Sequence, residues 1–83
     1  MSHNQLDSLI QMINQIAVNN ECYQTDEAAQ RVADHVRRFW ARSMKQLIIT
    51  HNQSGGEGMS PIARLALEKL EAPAEAEALV LVD

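Results

Sequence analysis

The chain predicts an all-α fold, a small bundle of three to four short helices with a flexible C-terminal tail. Three observations predict it. Apolar residues recur at three- and four-residue spacing along most of the chain, which is the period of a half-buried helix. All three glycines fall in one short stretch, so only one long break interrupts that pattern. One segment alone, Leu79–Val82, reads as a strand, and it has no second strand to pair with. The expected organisation is one helical domain over residues 1–72 and a low-complexity tail over 73–83.

The first helix rests on Leu6, Leu9, Ile10, Ile13, Ile16 and Ala17, which share one face. Ser2 or Asn4 supplies an N-cap, and Asn19-Asn20 a stop. Met12 lies at the edge of the stripe; Gln11, Asn14 and Gln15 lie largely outside it. Asn19 to Gln24 is a connector. Thr25 or Asp26 then caps a second helix, whose positive end suits Asp26 and Glu27. Its stripe is Ala29, Val32, Ala33, Val36 and Trp40, with Phe39 on the flank. Met44, Leu47 and Ile48 continue at helical spacing, so one long helix and a break after Trp40 fit equally well. Asn52 to Gly58 is a flexible loop. Ser60-Pro61 opens the last helix, with Ser as N-cap and Pro at the first helical position, where its missing N–H costs nothing. Ile62, Leu65, Ala66 and Leu70 run down it, while Ala63 and Leu67 widen its apolar face beyond what one neighbour would cover. Pro73 is expected to end it, ahead of the Ala-Pro-Ala-Glu-Ala-Glu-Ala tail.

Composition excludes several function classes. With 83 residues the chain holds one domain at most, and it buries only about 60–65% of its unfolded surface, so partner contact would add to a marginal stability. A hydrophobic share of 46% is too high for intrinsic disorder. The net charge of −4 repels a phosphate backbone and argues against non-specific nucleic-acid binding. Cys22, the single cysteine, cannot form an internal disulfide, which fits a reducing compartment. Met1-Ser-His-Asn-Gln shows no basic start followed by an apolar run, and no apolar run is long enough for a membrane span. The expected location is the cytoplasm.

Candidate chemistry is sparse. His3, His35 and His51 lack the spacing of a metal site, and no second Cys or carboxylate cluster joins them. Cys22 stands beside Glu21 with no basic neighbour to lower its pKa; it is expected as a buried or half-buried small apolar group. Ser54-Gly-Gly-Glu-Gly58 lacks the Lys-Ser/Thr continuation and the preceding strand of a phosphate cradle. No catalytic, cofactor-binding or metal-binding residues are assigned, and the chain is not expected to be an enzyme.

The feature that stands out is His35-Val-Arg-Arg-Phe-Trp-Ala-Arg-Ser-Met44. It holds the only Phe and the only Trp, flanked by Arg37, Arg38 and Arg42. Aromatic side chains bring the largest burial per residue, and Trp and Arg are enriched at interface hot spots. A role in both core and partner contact is expected, with Phe39 or Trp40 packed among Leu9, Ile13, Val32, Val36, Met44, Leu47, Ile62 and Leu65.

Three blocks together, Leu9-Ile-Gln-Met-Ile-Asn-Gln-Ile16, His35-Val-Arg-Arg-Phe-Trp40 with Met44, and Ser60-Pro61 with Arg64, Ala66, Leu67 and Leu70, resemble one known family. It is the small delta subunit of cytoplasmic NAD-dependent formate dehydrogenases containing molybdenum or tungsten. The family usually carries a Pro two residues after this Trp; Arg42 stands there in this chain. The resemblance implies a non-catalytic accessory subunit that binds the catalytic (alpha) subunit and assists its assembly or molybdenum-cofactor maturation. It implies that molybdopterin guanine dinucleotide and iron–sulfur clusters reside in that partner and none in this chain. The expected partner interface is Arg37, Arg38, Trp40, Arg42, Ser60, Pro61 and Arg64. The rival from another class is a stand-alone homodimeric helical module that regulates or binds a ligand or nucleic acid.

Overall fold

The computed structural model describes the backbone of residues 4–82 and the side chains of residues 4–71. Four helices follow one another: α1 (Gln5–Asn19), α2 (Thr25–Phe39), α3 (Arg42–Gln53) and α4 (Pro61–Val82). Ser2 and His3 lie outside the described residues. No strand occurs among those described.

α1 begins at Asn4, whose side-chain Oδ1 accepts a 2.8 Å hydrogen bond from the Asp7 N–H. That bond satisfies one of the four N–H groups a helix start leaves open. Leu9, Ile13 and Ala17 are fully buried, as the stripe requires. α2 starts at Thr25, one of the two residues expected as its cap. Gln24 takes the N-cap place with no side-chain bond, and Asp26 and Glu27 in the first turn act on the helix dipole alone.

α4 packs on each of the other three helices, most extensively on α2. This explains its wide apolar face: the breadth serves the chain's own bundle. Ala63, Ala66, Leu67 and Leu70 are buried, while Ile62 and Leu65, expected in the core, are only partly so. Met44 and Leu47 are likewise half-buried, and Ile48 carries the α3 contact. Lys69 of α4 reaches Asp26 at the start of α2 at 3.2 Å. From that pair the buried residues of α2 run up to Val36 and those of α4 run back to Ala63. The two helices are therefore antiparallel. Ala29 and Ala33 on α2 and Ala63 and Ala66 on α4 belong to one buried cluster, and side chains this small permit close backbone approach.

Two expectations about the C-terminal region are corrected. The α4 backbone continues through Pro73 to Val82, so Pro73 does not end the helix and Leu79–Val82 is helical, not a strand. Pro removes one donor and crowds the preceding turn, but Ala, Glu and Leu on both sides are among the strongest helix formers. The loop also begins later than expected. Asn52 belongs to α3, which ends in a Schellman arrangement: the Gly55 N–H donates to Asn52 O and the Gly56 N–H to His51 O, with Gly55 at φ +125°.

Candidate partner interface

The corner between α2 and α3 is built from two extended residues. Trp40 (φ −90°, ψ 140°) ends α2, and Ala41 (φ −65°, ψ 156°) starts α3. Arg42 is the first residue of α3, the position where a missing N–H costs nothing. The break therefore occurs without the Pro of the family pattern. Its consequence is a division of labour between neighbouring aromatics. Trp40 is 5% exposed and sits in the core, whereas Phe39 is 71% exposed. Four residues beyond Val36, Trp40 completes the α2 stripe, and the chain's turn folds it inward.

Phe39 does not stand alone. His35, one turn earlier, sets its ring against Phe39 with centroids 4.9 Å apart and planes inclined at 49°. Arg38 beside them is exposed and makes no ion pair among the described residues. Arg37 is exposed too, but its Nη1 lies 2.9 Å from Asp34. Lys45 Nζ donates to the Arg37 carbonyl at 3.3 Å, tying the end of α2 to the first turns of α3. Asn20, Arg31, Asp34, His35, Arg38 and Phe39 line an open depression on this side.

Ser60, Pro61 and Arg64 form a second, separately built group. Asn14 holds it in place through both ends of its amide. Its Nδ2 donates to Gly58 O at 2.8 Å, and its Oδ1 accepts from the Ser60 N–H at 2.9 Å. Ser60 Oγ accepts from the Ala63 N–H at 3.2 Å, the expected cap. Arg64 Nε donates at 3.4 Å to Oδ1 of Asn52, the only buried polar residue among those described. Pro61 and Arg64 line a different open depression with Met59, Leu65 and Glu68. The structure thus places Arg37, Arg38 and Arg42 at the α2–α3 corner and Ser60, Pro61 and Arg64 at the start of α4, with Arg38 and Arg64 lining different depressions.

Other candidates find ordinary places. His51 Nε2 lies 2.8 Å from the Glu57 carbonyl oxygen and ties down the glycine loop. Cys22 is exposed, contrary to expectation, because the α1–α2 connector that carries it runs over the surface. Arg31 stacks over Tyr23 at 3.9 Å. Among the described residues no three His, Cys, Asp or Glu side chains gather as a metal site would need. No helix among them is long and apolar enough to cross a membrane. Asn14 and Asn52 were not singled out in the sequence, since an Asn in a helix signals nothing about the distant loop it holds. Phe39 was, but without its outward orientation.

Residues 8–67 match the family described as NADH-dependent formate dehydrogenase delta subunit FdsD. No curated protein and no solved structure matches the chain.

Proposed function

The chain belongs to the NADH-dependent formate dehydrogenase delta subunit family, and from that premise we propose that it is a non-catalytic accessory subunit of the cytoplasmic enzyme. It binds the catalytic (alpha) subunit and assists its assembly or the maturation of its molybdenum cofactor. The observation that carries this reading is Phe39, a large aromatic left 71% exposed by its own fold in a cluster of arginines. Exposed aromatics rimmed by Arg are characteristic of partner contacts. Arg31 and Arg38 line the same depression as its ring, Arg37 and Arg42 lie at the same corner of the chain, and Ser60, Pro61 and Arg64 offer a further contact from the start of α4.

The chemistry belongs to the partner. Iron–sulfur clusters are held by several Cys thiolates, and Cys22 is the chain's single cysteine. Such clusters are therefore assigned to the catalytic subunit, and the family resemblance implies that the molybdopterin guanine dinucleotide resides there too. A homodimer formed through α4 has less to recommend it, because the apolar face of that helix as far as Leu70 is covered by α1, α2 and α3. The test is deletion of the chain in its native cell, followed by assay of formate-dependent NADH formation and of molybdenum or tungsten in the purified catalytic subunit. Loss of activity together with loss of metal supports a maturation role; loss of activity with metal retained supports a structural subunit. Unchanged activity and metal content would refute both.

A further inference from the structure

We infer that the α2–α3 corner docks on an acidic protein surface containing an apolar slot that receives the Phe39 ring. This rests on the accessory-subunit reading and specifies the partner's side of the contact.

The charge distribution is the first argument. Five of the seven basic residues, Arg31, Arg37, Arg38, Arg42 and Lys45, lie between positions 31 and 45, where Asp34 is the only acidic residue. The other ten acidic residues lie outside that segment, with only Arg64 and Lys69 to offset them. An acidic chain thus concentrates its positive charge around one exposed aromatic.

The fold accounts for part of this cluster and leaves the rest unexplained. Arg31 pairs with Glu27 and Arg37 with Asp34. Arg37 and Arg38 in the last turn of α2 also suit the negative end of that helix. Arg42 has no such reason. It stands at the positive end of α3, whose first turn holds no acidic residue and whose N-cap, Ala41, has no side chain to cap with. A cation there works against its own helix. Arg38 and Arg42 therefore present guanidinium groups that no carboxylate of the described residues neutralises. Carboxylates take a guanidinium in a bidentate fork, which fixes orientation as well as attraction.

Phe39 selects protein over other acidic partners. Its ring is steadied from one side by His35, which limits the rotamer freedom lost on binding. A phenyl ring with so much exposed apolar surface gains most from a slot that excludes water. The carboxylates that meet Arg38 and Arg42 would form the rim of that slot.

The experiment uses the full chain and purified formate dehydrogenase catalytic subunit in its cofactor-loaded and cofactor-free forms, binding to either form counting as binding, with affinity measured by calorimetry between 50 and 300 mM salt. Wild type is expected to bind, and to bind at least several-fold more weakly at the higher salt. Phe39→Ala should weaken binding at least tenfold at both salt concentrations. Arg38→Glu with Arg42→Glu should weaken it at least as much and remove most of the salt dependence. Met12→Ala, which trims an exposed apolar residue of α1, should bind as wild type does. Far-UV circular dichroism verifies that each variant is folded. If wild type binds and the two corner variants bind within twofold of it, the inference is overturned while the accessory-subunit reading stands. If wild type itself does not bind, that reading falls and takes the inference with it. Single-stranded oligonucleotide capture or self-association lost in the same variants, in place of subunit binding, would also overturn it.

Discussion

Truncating the two neighbouring aromatics should have opposite consequences, and the sizes follow from their exposure. A Trp side chain carries about 250 Å² of surface, and Trp40 keeps only 5% of its surface in contact with solvent. At about 25 cal/mol per Å² its burial is worth up to about 6 kcal/mol, and truncation in a core of this kind costs about 3–5 kcal/mol. For Phe39, 71% exposed, about 60 Å² of a ~200 Å² side chain is covered, worth about 1.5 kcal/mol at most. Part of that is the contact with His35. An 83-residue chain has a total stability of about 4–12 kcal/mol. Trp40→Ala should therefore remove about a quarter or more of it, and Phe39→Ala about 0.5–1.5 kcal/mol. Urea unfolding followed by far-UV ellipticity reads both, since fluorescence vanishes with the only Trp. With a slope of about 1 kcal/mol per molar, the midpoint should fall by about 3 M or more for Trp40→Ala and by about 1 M for Phe39→Ala. Equal losses, or a larger one for Phe39→Ala, would refute the assignment of Trp40 to the core and Phe39 to the surface.

Three further outcomes follow from particular contacts. Asn14→Ala leaves the Ser60 N–H and the Gly58 carbonyl without their partner and should cost about 1–3 kcal/mol, with faster amide exchange at Ser60; Asn14→Asp, which keeps the acceptor, should cost less. Gly56→Ala places a Cβ 2.7 Å from Arg64 Nε at a φ of +65°, whereas at Gly55, φ +125°, the added Cβ meets nothing within 4 Å. Gly56→Ala carries backbone strain of about 1–2 kcal/mol and also pushes Arg64 off the buried Asn52, so in urea it should cost at least about 2 kcal/mol. Arg42→Pro puts the ring at the first position of α3 after an Ala41 already extended at ψ 156°. Its stability should be unchanged or higher by up to about 1 kcal/mol; a loss above about 2 kcal/mol would contradict the helix break.

What was legible in the sequence was local. Asn4 and Ser60-Pro61 announce helix starts because a cap bonds an N–H two or three residues away, and the stripes of α1 and α2 follow from the helical period alone. The break after Trp40 was not legible: Met44, Leu47 and Ile48 keep helical spacing whether or not the backbone turns, and the choice is made by which aromatic the core accepts. The burial of Ala63 and Leu67 was not legible either, because it depends on α4 being surrounded by three helices. Pro73 was given more weight than its Ala- and Glu-rich neighbours allow. Of the interface, Arg37, Arg38, Arg42, Pro61 and Arg64 all reach the surface, and Ser60 does so in part. Trp40 instead lies in the core, because composition identifies an aromatic anchor without saying which way it faces.

The central claim is that this chain works as a bound or assembling subunit of formate dehydrogenase. Its most direct test is affinity purification of the tagged chain from its native cells, with identification of what accompanies it and assay of molybdenum and tungsten. The predicted result is recovery of the formate dehydrogenase catalytic subunit, with metal present if the chain remains bound in the mature enzyme and absent if it leaves once the cofactor is in place. Recovery of the chain alone, as monomer or dimer, from cells that contain active enzyme would contradict it.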